Sequence, residues 1–315
     1  MVKIFSLGVP LAQVAQSLAE HFEVCHGPTP EVRGIAVSGG HTAIDGAFAA
    51  GFPGLEIVSN SGVGYDHIDA AALATRGIVV TNTPGVLTDE VADLVLGLLI
   101  ATVRQLPQAE RFLRAGRWTS GNYPLTATLR GRKVGILGLG RIGKAVARRL
   151  AAFDLEIEYH GRKPQPEVEY RYHPSLVGLA TSCDVLIVTV SGGAETRHMV
   201  NREVLEALGP NGILINAGRG TVVDESALVK ALTEKRIQGA GLDVFEDEPR
   251  VPAALMAMEQ VVLLPHVGSA SVHTRLAMGQ LMVDNLVSWF AGKGAITPVP
   301  ESSALASKVG LAKRK

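Results

Sequence analysis

Apolar positions fall into two alternations of short runs and helix-period stretches, one on each side of a long helical block. In the first, residues 2–8, 22–26, 34–38, 55–60 and 78–82 are apolar runs of strand length. Residues 10–21, a glycine- and alanine-rich stretch, and residues 66–76 separate them with helical spacing. Such alternation predicts a parallel sheet covered on both faces. Residues 88–115 follow as one long helix or a helix pair. Asp89 and Glu90 suit its N-terminal dipole, and Pro107 is placed to bend or break it. Residues 118–130 show no clear period. From Lys133 the alternation restarts, with strands expected at 134–137, 156–160, 185–190, 213–216, 239–244 and 261–265. Residues 273–291 form a last amphipathic helix ended by Gly292. The remaining tail is too short for a further domain, so it is expected to cross back and complete the first one.

The second alternation opens on KVGILGLGRIG, residues 133–143, a strand running into a helix through Gly138-x-Gly140-x-x-Gly143. This is the dinucleotide-binding fingerprint in its required context. Gly138 allows the tight turn, Gly140 lets the backbone approach a pyrophosphate, and Gly143 lets helix and strand pack closely. N–H groups at the helix start attract the phosphate charge. Gly138, Leu139, Gly140, Arg141, Ile142 and Gly143 are therefore candidate cofactor contacts, the alternative being a purely structural glycine turn. The predicted architecture is α/β with two doubly wound parallel-sheet domains. A Rossmann dinucleotide-binding domain, residues 99–287, is inserted in a flavodoxin-like substrate domain, residues 1–98 completed by 288–315.

In open α/β sheets ligands bind beyond the carboxyl ends of the strands. After the strand at 156–160 come Gly161, Arg162 and Lys163, with Arg162 nineteen residues past Gly143, where an NAD site usually carries an acid for the ribose 2′-hydroxyl. Two cations there favour a 2′-phosphate, hence NADP(H) over NAD(H), unless they are simply solvated surface charges. After 213–216 come Ala217, Gly218, Arg219 and Gly220. An arginine between glycines can offer its fork to a carboxylate or carbonyl oxygen, or form a salt bridge to a neighbouring loop. Asp243 stands inside an apolar strand, where a carboxylate needs a partner or a task. His266 follows the last strand and is a natural proton donor to a carbonyl; Glu248 is the best candidate to orient it. Val190, Ala217, Arg219, Asp243, His266 and Gly268 complete the expected cofactor contacts. Asn60–Asp66 also sits between a strand and a helix. Its N–H groups fit a carboxylate, and its pattern fits equally a turn that needs only glycine freedom.

The chain has 315 residues, enough for about two domains with real cores. Thirty Lys+Arg balance thirty Asp+Glu, so no global field recruits nucleic acid or an anionic membrane. Only residues 308–315 are locally basic. Cys25 and Cys183 are too few for a disulfide framework and read as reduced thiols. The N-terminal run is too short for a signal peptide, and the apolar helix at 91–103 is too short to span a bilayer, so a soluble, cytoplasmic protein is expected. His21, His26, His41, His160, His173, His198 and His273 share no ligand spacing, so no metal is expected. Neither a Gly-x-Ser-x-Gly elbow nor a P-loop Gly-Lys-Ser/Thr occurs.

With these residues in hand, the chain resembles the D-isomer-specific 2-hydroxyacid dehydrogenases over nearly its whole length. The resemblance rests on SGVGYDHID at 61–69, VTNTPGVLTDEVAD at 80–93, GLGRIG at 138–143, NAGRGTVVDE at 216–225, GAGLDVFEDEP at 239–249 and LPHVGSA at 264–270. It implies Arg219 as substrate binder, Glu248, rather than Glu246, as the assisting carboxylate, and His266 as acid/base. It also implies that the backbone of Val63 and Gly64 receives the substrate carboxylate, together with Arg219 and His266. Within the family the HGRKP stretch at 160–164 looks most like the NADPH-dependent glyoxylate/hydroxypyruvate reductases, including those acting on hydroxyphenylpyruvate. The resemblance further implies a homodimer, for which the helix at 91–103 offers an interface, and a small 2-oxo or 2-hydroxy acid as partner. Leu87, Trp118 and Tyr123 are candidates for lining the substrate side-chain pocket. Ser191, followed by Gly192 and Gly193, departs from the proline many members carry there. Two rivals share the motifs: nucleotide-sensing corepressors of the C-terminal-binding-protein type, and other dehydrogenases of the superfamily, such as those acting on phosphoglycerate.

Overall fold

The computed structural model describes residues 1–39 and 42–306. His41 and the basic tail at 308–315 lie outside the described residues. The chain divides into two compact units, one of Met1–Leu87 with the chain from Ala270 onward, the other of Thr88–Ser269.

The first unit begins with β1 (Val2–Gly8), β2 (Phe22–Cys25), β3 (Gly34–Ser38), β4 (Ile57–Asn60) and β5 (Val79–Thr81), all parallel. Their order, β2-β1-β3-β4-β5, is the flavodoxin-like winding. Helices α1 (Ala12–His21), α2 (Gly46–Ala50) and α3 (Ala70–Thr75) connect them. The last two are capped by Asp45 and Asp69, whose side chains accept the N–H of Phe48 and Ala72. Asp69 sets the start of α3, which is why the helix expected from residue 66 begins later.

The second unit opens with α4 (Thr88–Arg104) and α5 (Leu106–Arg114). The break falls at Gln105, in the left-handed region at φ 51°, and Pro107 sits in the first turn of α5, where its missing N–H costs nothing. Then come β6 (Lys133–Leu137), α6 (Arg141–Ala151), β7 (Glu156–His160), β8 (Arg171–His173), α7 (Leu176–Ser182), β9 (Val185–Val188) and α8 (Arg202–Leu208). β10 (Ile213–Asn216), α9 (Glu225–Thr233), β11 (Gly239–Leu242), α10 (Ala253–Met256) and β12 (Val261–Leu263) complete it. The parallel sheet runs β12-β11-β10-β9-β6-β7-β8, the Rossmann order with one further strand. β8 is absent from the sequence expectation because Arg-Tyr-His makes no apolar run. It is an edge strand held from the side: His173 Nε2 donates to Glu158 Oε2 at 2.7 Å, and Ser182 Oγ donates to the same carboxylate. Burial alone would push the Glu158 carboxyl up; the bonds from Ser182 and His173, with the charges of His173 and Arg171, hold it below its ordinary value.

Leu137, Leu186, Val188, Leu214 and Leu242 pack under α7, α8 and α9 on one face of this sheet. On the other, α4 lies against β10, β11, β12 and α6 and buries Val91, Val95, Leu98, Leu99 and Val103. One apolar face of residues 91–103 is thus used inside the second unit, while Leu94, Leu96 and Ile100 stay only half-buried. The first boundary falls at Leu87 instead of the expected 98, because α4 packs on the second sheet.

Two elements return to the first unit: α11 (Val272–Phe290), capped by Ser271, and α12 (Ser303–Ala306). Met282, Val283, Leu286 and Trp289 of α11 pack with Ile4, Ala36, Ile57 and Val79 on one face of that sheet, while Phe5, Ile35, Val58 and Val80 point to the other. The second boundary therefore falls at Ala270 and not at 288.

Candidate active site

At the fingerprint, β6 ends in Leu137 and α6 starts beyond Gly140, its N-cap. A Cβ on Gly143 would collide with the carbonyl oxygen of Gly138, so only glycine lets α6 come this close to the strand. A Cβ on Gly140 would meet nothing within 4 Å, so the space above the turn is open to a bulky group. Thr189 Oγ1 donates to Gly138 O at 2.7 Å and ties the turn to the end of β9, beside Val190. Gly161, Arg162 and Lys163 follow β7, with both cations exposed. Gln165 anchors their loop: its amide donates to Leu139 O at 2.9 Å and its N–H to the buried Tyr159 hydroxyl at 2.7 Å. These residues fit a dinucleotide: an open glycine turn, a helix N-terminus and two cations on a loop fastened to that turn.

Beyond β10, Asn216 shapes the next turn. Its Oδ1 accepts the Gly218 N–H at 3.1 Å and its Nδ2 donates to Arg219 O at 3.0 Å. The Arg219 guanidinium donates from Nη1 to Gly218 O at 2.8 Å. Gly220 is required because the Phe245 carbonyl passes where a Cβ would stand. The flanking glycines thus serve close packing of two strand-end turns more than exposure of the arginine.

His266 follows β12 with φ 53°, a left-handed conformation that costs a non-glycine residue on the order of 1 kcal/mol. Asp243 holds it there. The Asp243 carbonyl accepts the His266 N–H at 2.8 Å, and its two carboxylate oxygens accept the N–H groups of Val267 and Gly268 at 2.7 and 2.8 Å. Burial pushes the Asp243 carboxyl above its ordinary value, and those two donors oppose the shift. Each oxygen thus takes one N–H of the histidine loop, so this carboxylate shapes that loop. His266 Nδ1 lies 2.7 Å from Glu248 Oε2. A carboxylate only accepts, so Nδ1 carries the proton and Nε2 is left as the exchanging nitrogen. Glu248 Oε1 accepts the Phe245 N–H at 3.0 Å, which leaves the carboxylate 18% exposed against 45% for the histidine ring.

The first unit presents its own turn after β4. Asn60 Nδ2 donates to Gly62 O and Gly64 O at 3.2 and 3.0 Å, Asn82 Nδ2 to Val63 O at 2.8 Å, and the Thr83 N–H to Gly62 O at 3.0 Å. The carbonyls of Gly62, Val63 and Gly64 are thus turned onto amides, and the N–H groups of Val63 and Gly64 have no protein acceptor among the described residues. Of the open alternatives for this stretch, the geometry favours an anion-binding nest over a bare flexible turn.

A family model described as D-isomer specific 2-hydroxyacid dehydrogenase, NAD binding domain, matches residues 96–268. A glyoxylate/hydroxypyruvate reductase of Arabidopsis thaliana is 51% identical over 81% of this chain and 82% of its own. A hydroxyphenylpyruvate reductase of Plectranthus scutellarioides is 49% identical over 84% of each. The crystal structure of an NADPH-dependent glyoxylate/hydroxypyruvate reductase from Sinorhizobium meliloti, in complex with NADP and malonate, superposes with a TM-score of 0.91 at 52% identity, covering 95% of this chain and 97% of that one. This chain belongs to the D-isomer specific 2-hydroxyacid dehydrogenase family.

Among the dehydrogenase residues expected from sequence, Glu248 and His266 are brought together directly, and Arg219 lies on the turn packed beneath Phe245. Trp118 is 64% exposed, and Tyr123 donates its hydroxyl to Gln105 at 3.0 Å with its ring edge-on to Phe112. Sequence reasoning missed Asn82, Gln165 and Thr189, which act by holding backbone and carry no motif of their own. No group of three or more possible metal-ligating side chains occurs among the described residues, and no described helix is long and apolar enough to cross a membrane.

Proposed function

We propose that this chain reduces a small 2-oxo acid (glyoxylate, hydroxypyruvate or an aryl pyruvate) to the D-2-hydroxy acid with NADPH. The observation that carries the reading is the His266–Glu248 pair, with the Nδ1 proton fixed by the carboxylate and Nε2 left over, on the same strand-end edge as the open fingerprint turn. When bound, NADPH supplies the hydride that ends on the carbonyl carbon. Gly138, Leu139, Gly140, Arg141, Ile142 and Gly143 would hold its pyrophosphate, Arg162 and Lys163 its 2′-phosphate, and Val190, Ala217 and Gly268 its nicotinamide end. Glu248, by holding Nδ1, stabilises the protonated, positively charged ring. His266 gives its Nε2 proton to the carbonyl oxygen and becomes neutral, and Arg219 offers its guanidinium to the same developing alkoxide. The Val63 and Gly64 N–H groups take the substrate carboxylate.

Support for NADPH comes from the two exposed cations after β7 and from the NADP complex of the S. meliloti relative. A homodimer is proposed through the outer side of residues 91–103, where Leu94, Leu96 and Ile100 stay half-buried, and through the exposed Leu106, Leu113, Trp118 and Leu125 that follow α4. The deciding experiment follows nicotinamide absorbance with glyoxylate, hydroxypyruvate and hydroxyphenylpyruvate, each with NADPH and NADH, and determines the configuration of the product. NADPH consumption with at least one of the three, giving the D-hydroxy acid, is expected. Nucleotide binding without consumption would overturn the enzymatic reading in favour of a nucleotide sensor.

A further inference from the structure

The Glu248 carboxylate spends one oxygen on the Phe245 N–H and the other on His266, so its place is set by the turn at residues 245–248. That turn is fastened through Glu246. Its N–H donates to Glu225 Oε1 at 2.8 Å, and its own Oε1 accepts from Arg197 Nη2 at 2.9 Å and from His198 Nε2 at 2.5 Å. His198 is held as firmly from its other side. It sits at φ 52°, and its N–H donates to Thr221 O at 2.9 Å, two residues beyond Arg219. His198 therefore joins the two turns that carry the reacting side chains, by backbone to the Arg219 turn and by ring to the Glu248 turn. The local charge balance points the same way. Glu225, Glu246 and Glu248 crowd this edge, and burial, with the charges of Glu246, Asp247 and Glu248, pushes the Glu225 carboxyl up. Arg197 and His198 supply the compensating donors.

We propose that Glu246, clasped by His198 and Arg197, is a positioning residue that keeps the Glu248–His266 pair in register with Arg219. This rests on the roles assigned above to Glu248 and His266. A group acting through another loses its effect when that other is removed, whereas a merely stabilising contact does not. Glu246→Gln should lower kcat about tenfold with KM for the 2-oxo acid changed less than about twofold, the scale of outer-shell partners. In a Glu248→Gln background the same substitution should change kcat by less than about twofold. His198→Gln, which keeps a donor, should retain more activity than His198→Ala. The His266 ring Cε1–H resonance, followed by NMR in the same four proteins, should move with Glu246→Gln in the wild-type background and stay put in the Glu248→Gln background.

Full activity of Glu246→Gln, or the same loss in both backgrounds, would overturn the proposal. Should the wild-type chain consume no 2-oxo acid, the functional reading falls, and the resonance series alone decides whether Glu246 positions His266.

Discussion

Single side chains at this site are defined by what holds them. His266 stands in an unfavourable backbone conformation, and Asp243 stabilises it with one carbonyl and two carboxylate oxygens. Removing the imidazole deletes the proposed proton donor while leaving that backbone cage intact. His266→Ala is therefore expected to lower kcat by about 10²–10⁴ with the NADPH dissociation constant changed little; steady-state kinetics and nucleotide fluorescence check the two halves. Sequence could nominate His266 and Glu248 because strand ends are where chemistry collects in such sheets. It counted Asp243 among the cofactor contacts and missed its bonds to the histidine loop, since an N–H acceptor is recognised only once the loop it serves has been folded around it.

Elements come next, and the instructive one is β8. Three residues with no apolar pattern form an edge strand because Glu158, on the neighbouring β7, is buried and accepts from both His173 and Ser182. The Glu158 pKa lies below its ordinary value in the folded chain. Its contribution is thus fully present above the ordinary carboxylate value and is lost as pH falls through the depressed one. Glu158→Gln should cost about 3–5 kcal/mol at neutral pH, read from denaturant unfolding, and the gap to wild type should shrink below about pH 4. A gap that persists unchanged into acid would show that charge plays no part in holding the edge. α4 makes the opposite point: its apolar face was plain in the sequence, but its partner was not. An amphipathic stripe says that something covers it, and here the cover is the second sheet and α6.

For the whole molecule, zero net charge leaves recognition to local groups. The proposed preference for NADP(H) rests on Arg162 and Lys163, at the end of β7. NADPH at a hundred times its dissociation constant should stabilise the fold by about 2.7 kcal/mol. That corresponds to a rise of about 5–10 °C in melting temperature, larger than for NADH at the same concentration. Arg162→Asp should abolish most of the NADPH shift and spare the NADH shift, because a carboxylate there repels the 2′-phosphate. Equal shifts from both nucleotides in the wild type would count against the NADP(H) reading.

By itself the sequence determined the two α/β alternations, the nucleotide fingerprint and the strand ends that carry Arg219, Glu248 and His266. Each of these is written in local order: a period of apolar residues, or glycines at fixed spacing. Other features only the tertiary structure decided. These are the boundaries at Leu87 and Ala270, the edge strand β8, the inward-turned carbonyls of the Val63–Gly64 turn, and the clasp of Glu246 by His198. They depend on hydrogen bonds and packing whose partners are mostly well over ten positions apart. Such contacts have no period along the chain, because the geometry that creates them exists only after both partners have been placed.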